Sequence, residues 1–588
     1  MNFYFMNYPD GFCKKILFAT ALMVFIQTPG NAQKTKKDNF GKEFYVAFAE
    51  NQGGQTFSGD EDQNFFALFI TSKVPTQGTV EVTALGFSKA FTTVPGTITT
   101  VELPDGKHIG DPTVELTFEN NQEETVISGM AVHIISNDDI AVYGMNHKLW
   151  SSEAFMALPV GILGTEYRTL NYPTSYPTSG VTPGEFWIVA VADTTNITIT
   201  PRAATRMKSQ PGVPIKVFMN KGDVYLVQGN PIDGQNDLTG SIIESDQPIA
   251  VLSGHVRTEI PKGFNNVNSN TGSRDHLVEQ LPPVSAWGDS ALIVRYQSAT
   301  LPDLVRVVSS EDGNVISVNG TIVKTLQAGD FYEISQLTTP VSIQATSPIL
   351  VGQYMHTSLY GVGDPQHQPY GDPAYSLVFP VEQFDTSYTF MLDQNSTFNG
   401  NYINIIADPA GVATMMLDGL PVTGKPYNAV FLPIPGSNYT YTQISFSINQ
   451  QGAHNIYSSK PFGITVYAMG PGDGYAYPGG AVLETINSGV LLPMTSFSGT
   501  SLVSFSSNPN PFINETSLEF TLNRMSYVTL AIYDELGRLV WGDGRGSSLE
   551  AGMHSIQIDG RSLPSGTLYA RISTGFGEVK TVKLEHEK

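Results

Sequence analysis

The sequence is poor in cysteine and in charge. Its single cysteine, Cys13, lies near the N-terminus, and charged residues make up only 15% of the 588 residues, well below the usual quarter. With one cysteine, the chain can form no internal disulfide and no multi-thiolate zinc site. Stability must therefore come from burial of apolar surface and from backbone hydrogen bonds.

Familiar catalytic motifs and an excess of basic residues are also missing. The chain contains no Gly-x-Ser-x-Gly elbow, no His-Glu-x-x-His zinc helix and no Gly-x4-Gly-Lys phosphate loop. Its net charge of −22 disfavours nucleic acid and anionic lipid as partners. The sequence therefore predicts a protein that is not an enzyme and that requires no cofactor.

Two acidic segments, Gly59–Asn64 and Asp233–Asp237, carry oxygen side chains of the kind that calcium prefers. Neither segment has EF-hand spacing, so ordinary turns are the favoured interpretation. Calcium binding in these acidic loops is kept as the alternative.

The N-terminus has the pattern of a secretory signal peptide. Lys14 and Lys15 precede a continuous apolar run from Ile16 to Ile26, and small residues lead to Ala32. The run is shorter than the ~20 residues that a membrane-spanning helix needs. We predict a signal peptide over residues 1–32 with cleavage after Ala32, the alternative being an N-terminal membrane anchor. No later segment is long and apolar enough to cross a membrane, so the mature chain is predicted to have no transmembrane segment.

The body of the chain is repetitive. A polar step with Pro or Asp precedes an apolar strand four times, and this spacing of roughly 100 residues suits an antiparallel β module. The matched isoleucines are Ile140, Ile249, Ile349 and Ile464. Because no stretch has a sustained 3.6-residue apolar period, we predict an all-β, sandwich-like fold. The predicted units cover residues 40–150, 151–275, 276–368 and 369–490 of a body at 33–490, followed by a linker at 491–507.

Histidines recur in phase with the repeat. His147, His255 and His356 each follow the same apolar strand, whereas the fourth unit has Met469 and Gly470 at this place. If the units surround a common axis, the three imidazoles could form one binding or metal site. If the units are strung out linearly, the histidines are retained packing residues, and this is the favoured interpretation.

Tyrosine-rich segments are the other binding candidates. Tyr360 and Tyr370 lie in one Gly- and Pro-rich segment, and Tyr475 and Tyr477 lie in another. Exposed tyrosine rings pack well on flat partner surfaces, but tyrosine also packs loops onto sheets. Both interpretations stay open at this point.

Five short motifs occur in order between residue 508 and the last residue, 588. Their characteristic residues are Asn510, Pro511, Asp534, Gly537, Arg538, Gly566, Tyr569, Lys580 and Lys583. This segment, 508–588, resembles the C-terminal sorting domain of the type IX secretion system of Bacteroidetes-type bacteria. The resemblance implies a small β-sandwich that the type IX machinery recognises. It also implies export through the periplasm, with the product either released or attached to the outer-membrane surface.

The body carries a second resemblance. Gly41–Phe48, Phe65–Ser72, the repeated Ser-x-x-Pro-Ile-x-Val phrases and the Leu-Pro steps resemble the N-terminal domain of the IgGFc-binding protein family over about residues 40–490. Such domains occur as modules in bacterial surface proteins. The resemblance implies a non-enzymatic binding or adhesion protein that contacts a glycoprotein, a polysaccharide or another surface component. The alternatives are a structural cell-surface component without a discrete ligand and an extracellular hydrolase of polysaccharide or protein.

Overall fold

The strands of the computed structural model group into four units and a C-terminal domain. The model describes residues 37–51, 65–104, 124–148, 151–174, 182–207, 209–230, 236–264, 272–297, 301–358, 371–393, 398, 400–470, 472–484, 486, 502–522, 526–535, 538–542, 547–549, 552–574 and 579–587.

Units 1 and 2 are built as follows. Unit 1 contains β1 (Gly41–Val46), β2 (Phe65–Ser72), β3 (Thr76–Val82), β4 (Phe87–Thr93), β5 (Thr99–Glu102), β6 (Val126–Ile127), β7 (Val132–Lys148) and β8 (Ser151–Met156). Unit 2 contains β9 (Gly164–Arg168), β10 (Gly184–Ala190), β11 (Thr195–Thr200), β12 (Ile215–Met219), β13 (Val224–Gln228), β14 (Ile242–Thr258) and β15 (Asp275–Gln280). The short β6 pairs with β13 and so adds a strand of unit 1 to the sheet of unit 2.

Units 3 and 4 repeat the plan. Unit 3 contains β16 (Gly288–Ile293), β17 (Asp303–Ser309), β18 (Asn314–Val318), β19 (Thr321–Leu326), β20 (Phe331–Leu337), β21 (Val341–Tyr354) and β22 (Tyr375–Val378). Unit 4 contains β23 (Asp385–Leu392), β24 (Gly400–Ala407), β25 (Met416–Leu417), β26 (Leu420–Pro421), β27 (Leu432–Pro433), β28 (Thr440–Phe446), β29 (Gly452–Gly470) and β30 (Asp473–Pro478). Helical structure among the described residues is limited to one short helix, α1 (Pro409–Val412), and single 3-10 turns, which confirms the all-β prediction.

Each unit is organised around one long strand, β7, β14, β21 or β29. The first half of β14 pairs with β9 and β11, and its second half pairs with β10 and β15. The other three long strands divide their partners in the same way. A strand that passes from one pair of neighbours to another at a bend closes a sheet on itself, so each unit encloses a core.

The polar step of the repeat is a β-bulge inside the long strand. In β14 the register shifts between Glu244 and Ile249. The Ser245 hydroxyl donates to the Gln247 carbonyl at 2.7 Å, and Pro248 has no N–H that could be left unpaired. The polar step therefore lies inside the strand and does not precede it, because a bulge lets the strand bend without ending.

The four units close into a ring. We call β8, β15, β22 and β30 the axis strands, because β8 lies against β15 and β30, and β22 lies against the same two strands. The ends of the body are joined as well. The Asn39 N–H donates to the Ala481 carbonyl at 3.1 Å, and the Leu483 N–H donates to the Lys37 carbonyl at 2.8 Å. The units thus surround a common axis and are not strung out linearly.

Unit boundaries fall one strand later than predicted. Each axis strand follows a long strand and pairs with it, so it stays in the same unit. The chain enters the next unit only after the proline steps at Pro159, Pro283 and Pro380, each followed by a 3-10 turn. The limits at residues 150, 275 and 368 are corrected accordingly, since an apolar segment does not reveal which strand it will pair with.

The C-terminal domain has two sheets that share one core of its own. Its strands are β31 (Leu502–Asn508), β32 (Glu515–Leu522), β33 (Ser526–Asp534), β34 (Leu539–Trp541), β35 (Ser547–Leu549), β36 (Gly552–Asp559), β37 (Gly566–Thr574) and β38 (Val579–His586). The first of them, β31, begins inside the segment 491–507 that the sequence predicts as linker. It belongs to the domain because it pairs along its length with β32.

Candidate functional site

Two buried glutamates connect the axis strands of different units. Glu153 on β8 accepts hydrogen bonds from the N–H of Tyr375 at 2.9 Å and from the N–H of Ala476 at 3.0 Å. Glu279 on β15 accepts one from the N–H of Leu377 at 3.1 Å. These N–H groups lie on the edges of β22 and β30 that face the axis, where an unpaired donor would be costly. The glutamates therefore join units 1 and 2 to units 3 and 4.

The axis also contains three buried aspartates, Asp275, Asp372 and Asp473. Burial raises the pKa of each carboxyl group, and repulsion from Asp372 raises the pKa of Asp275 and Asp473 further. Burial likewise raises the pKa of Glu153 and Glu279. Asp275 and Asp473, like the two glutamates, accept hydrogen bonds from groups of the chain itself.

The three repeated histidines lie at or just beyond the ends of the long strands, differ in register, and have separate partners. His147 bonds the Ser152 hydroxyl at 2.5 Å, and His255 accepts from the Arg257 N–H at 3.1 Å. His356 bonds the carbonyl oxygen of its neighbour Thr357 at 2.7 Å. In the described part of the chain, no group of three or more His, Cys, Asp or Glu side chains is placed to hold a metal ion. The three histidines, all described, therefore do not form the shared metal site considered from the sequence.

Burial explains the behaviour of these imidazoles. It lowers the pKa of His147 to about 4. It lowers the pKa of His255 to about 3, with a further contribution from neighbouring His276. His356 is only partly buried, and its pKa is lowered for the same reason. The two buried rings are neutral at physiological pH and act as packing groups.

The tyrosines Tyr475 and Tyr477 are not part of a surface loop. Both lie on the buried axis strand β30, with exposed fractions of 0% and 2%. The Tyr475 hydroxyl accepts from the Asp393 N–H at 2.9 Å, and the Tyr477 hydroxyl donates to the Met391 carbonyl at 2.5 Å. The surface-binding interpretation of this pair is wrong, because the Gly- and Pro-rich segment pairs with β29 as a strand. Tyr360 and Tyr370 lie outside the described residues.

Of the two acidic segments considered for calcium binding, only part of the second is described by the structure. Gly59–Asn64 lies outside the described residues. In the second segment, Asp237 accepts a hydrogen bond from the Arg306 guanidinium at 2.8 Å. Arg306 also donates to the Asn171 carbonyl and to Glu333. It stacks between two aromatic rings, Tyr172 and Phe331. Asp237 therefore forms an ion pair that joins unit 2 to unit 3.

Residues of the five C-terminal motifs make contacts at two edges of the C-terminal domain. The Asn510 side chain donates to the Lys583 carbonyl and accepts from the Glu585 N–H, both at 2.7 Å, which fixes the start of the domain to β38. Arg538 donates to the Asp534 carboxylate from its backbone and its side chain.

The remaining motif residues are placed as follows. Pro511 follows Asn510, Gly566 has a φ of 116° at the start of β37, Tyr569 is 39% exposed, and Lys580 donates to the Val503 carbonyl at 2.9 Å. Gly537 lies outside the described residues.

A cavity of about 380 Å³ opens between unit 1 and unit 4. One wall is formed by alternate residues of β2 and by the paired β5, and the opposite wall by β23 and β29. We call this space the junction cavity. Its described lining residues are Phe65, Ala67, Phe69, Ile98, Thr100, Glu102, Met391, Asp393, Gly452 and Ala453.

Sequence reasoning missed the residues that hold the ring together, namely Glu153, Glu279 and Arg306. Each is a charged side chain with an apolar neighbour in its strand: Ala154 follows Glu153, Val278 precedes Glu279, and Arg306 lies between Val305 and Val307. Charged residues are almost never fully buried unless they are paired, so this pattern was the available signal. It could not reveal the partners, which come from other units.

The described fold defines the class of protein: a closed ring of four antiparallel β units followed by a β-sandwich domain. In sequence comparisons, the family model described as IgGFc binding protein matches residues 153–468. The chain belongs to this family. The human IgGFc-binding protein is 27% identical over 354 residues, which cover 59% of this chain but only 6% of the human protein.

Solved structures show weaker likenesses. Dimeric latent PorU from Porphyromonas gingivalis is 11% identical, with 57% of this chain and 31% of that chain covered and a TM-score of 0.13. The tetra-tandem repeat of the extending region of a large adhesion protein is 12% identical, with 68% and 93% covered and a TM-score of 0.17. Scores this low define no shared fold. None of the helices in the described part of the chain has the length and apolar character needed to cross a membrane.

Proposed function

We propose that this chain is an exported, non-enzymatic binding protein that contacts a glycoprotein, a polysaccharide or another cell-surface component. The family match over residues 153–468 carries the proposal, because the human relative is named for binding a partner protein. The closed ring supports it as well, since a rigid scaffold presents a surface with little loss of conformational entropy on binding.

The route in this proposal is type IX secretion. A signal peptide over residues 1–32 directs the chain to the periplasm, and the C-terminal domain is the sorting label for the outer membrane. The ordered motifs support this route, together with the domain's separate core and the bonds by which Asn510 holds β38. The exported protein is then released or held at the outer-membrane surface.

The buried axis favours binding over hydrolysis. Glycosidases need two carboxyl groups that reach the substrate from either side of the bond. Glu153 and Glu279 instead point into the packed axis and accept backbone hydrogen bonds. The hydrolase and the purely structural role remain the outcomes against which the proposal is tested.

A glycan and mucin array probed with the exported protein tests the proposal. Retention of the protein by a defined subset of glycoproteins or polysaccharides is expected, and human IgG belongs among the probes because of the family name. Uniform absence of retention would favour the structural role.

A further inference from the structure

The junctions between units differ at one repeated position. On the second strand of each unit, one residue faces the neighbouring unit and pairs with the long strand three residues after the two strands first meet. These matched residues are Phe69, Trp187, Arg306 and Asn404, paired with Tyr143, Leu252, Gly352 and Thr465.

Three of these residues bond directly to the preceding unit. The Trp187 indole donates to the Ala47 carbonyl at 3.0 Å, and the Arg306 guanidinium donates to the Asn171 carbonyl at 2.7 Å. The Asn404 amide donates to the Val294 carbonyl of unit 3 at 3.0 Å. At the junction of units 4 and 1 the matched residue is Phe69, and here the junction cavity remains open.

The wall of the junction cavity on unit 1 is apolar at its base and acidic at its edge. Phe65, Ala67 and Phe69 alternate along β2 and therefore share one face, and Glu102 on β5 pairs with Ala67. Asp393 lies on the opposite wall, beyond the end of β23. A volume of about 380 Å³ falls in the range of sites that hold a small ligand or a long side chain, about 300–1,000 Å³.

The polar groups of the cavity are mostly acceptors. Among its described lining side chains, Thr100 is the sole hydrogen-bond donor, whereas Glu102 and Asp393 supply carboxyl oxygens. A ligand that only donates matches this set, and lysine and arginine side chains are such donors. Aromatic rings attract a cation placed over their faces, and the net charge of −22 attracts a basic partner at longer range.

We propose that the junction cavity binds a lysine or arginine side chain of a basic protein partner. The inference rests on the proposed binding function and narrows its ligand to a protein surface with an exposed basic residue. Phe65 and Phe69 contact the alkyl stem and the cationic head, and Glu102 accepts the charged hydrogen bond at the edge of the cavity.

Fluorescence anisotropy of the exported protein with a labelled oligolysine peptide tests this assignment. The same peptide with acetylated lysines is the matched ligand control, since acetylation removes the charge and keeps the chain. Glu102→Gln should weaken oligolysine binding about fivefold, as expected for an exposed ion pair. Glu81→Gln, an exposed acid elsewhere in unit 1, removes the same charge and should leave binding within about twofold.

Equal weakening by Glu102→Gln and Glu81→Gln, or no weakening by either, would overturn the assignment, as would equal binding of the acetylated peptide. Phe65→Leu provides a second variant that keeps the charge and removes a ring, and it should also weaken binding. If the array retains the protein while Glu102→Gln changes nothing, the cavity assignment fails and the proposed function stands. If nothing is retained on the array, the proposed function itself fails.

Discussion

The carboxyl group of Glu153 in unit 1 accepts a hydrogen bond at 2.9 Å from the backbone N–H of Tyr375 in unit 3. The two residues are far apart in sequence and meet because the axis strands converge. Its second oxygen accepts from unit 4, so one side chain links three of the four units. The ring thus depends on a few polar contacts at its centre as well as on the apolar cores of the units.

Replacement of Glu153 should destabilise the body strongly. Glu153→Ala leaves the N–H groups of Tyr375 and Ala476 without acceptors, and each such buried group costs about 1–3 kcal/mol, so a loss of about 2–6 kcal/mol is expected. Glu153→Gln should have a smaller effect, because its amide oxygen still accepts one of the two bonds. Chemical denaturation measures the free energy of unfolding of both variants, and Glu311→Ala, at an exposed position, is the control. A Glu153→Ala protein as stable as that control would refute the structural role.

Asp303 should make the protein less stable as the pH rises. Burial raises its pKa from the ordinary 3.8 to about 7, so between these values the folded state holds a proton that the unfolded state has lost. Stability therefore falls as the pH rises through this window and stays reduced above it.

Asp303→Asn should remove this dependence. The oxygen Oδ2 accepts from the Tyr296 N–H and from the Gln353 amide, and an asparagine oxygen can keep both bonds. The variant should match the parent at pH 4 and exceed its free energy of unfolding by about 1–4 kcal/mol at pH 8. Thermal unfolding across this range checks the difference, with the exposed Asp139→Asn as control. A constant difference at all pH values would contradict the titration of Asp303.

Arg306 should be essential for the junction between units 2 and 3. It is 3% exposed and bonds Asp237 and Glu333 at 2.8 and 2.9 Å. Arg306→Ala removes the cation that pairs with two partly exposed carboxylates and leaves a gap between Tyr172 and Phe331, so it should destabilise the protein by about 2–4 kcal/mol. Arg306→Lys should recover only part of the lost stability, because a lysine ammonium lacks the planar guanidinium group that forms paired hydrogen bonds and stacks on aromatic rings.

The exposed ion pair of Arg202 with Asp330 supplies the comparison for Arg306. Arg202→Ala should change the unfolding free energy by less than about 1 kcal/mol. Similar losses for Arg202→Ala and Arg306→Ala would show that burial and stacking contribute nothing at the junction.

Export should require the C-terminal domain. A chain that lacks residues 502–588 should remain in the periplasm, and mass spectrometry of the exported parent should find an N-terminus after Ala32 and a C-terminus before Leu502. The control is a chain with the exposed Met553→Ser change, which leaves the domain intact. Export of the truncated chain, or an exported form that ends at Lys588, would count against a removable sorting label.

Local pattern was enough to predict the strands of this protein, and tertiary contacts were needed for the rest. The repeat isoleucines and the apolar runs predicted the long strands, because alternation and β-branched residues mark strands directly. The ring could not be predicted, since the bonds from Asn39 to Ala481 and from Glu153 to Tyr375 join residues of different units. The same limit misplaced Tyr475 and Tyr477, whose Gly- and Pro-rich surroundings are typical of loops until β29 is known to pair with them.

The candidate site, too, was only partly predictable from local sequence pattern. The in-phase histidines lie near the ends of the long strands, but their register and their partners, such as Ser152 and Arg257, are identified only by the fold. The junction cavity requires β2, β5, β23 and β29 to meet, and these strands come from opposite ends of the body. No local sequence motif indicates that these four strands lie next to one another.

The central claim is that the chain binds a surface component without altering it. The most direct measurement combines affinity with product analysis for the ligand that the array selects. The exported protein is titrated with that ligand by calorimetry. The molecular mass of the recovered ligand is then measured by mass spectrometry. Saturable binding with an unchanged ligand mass is the predicted result. Cleavage of the ligand, or the absence of saturable binding, would contradict the account.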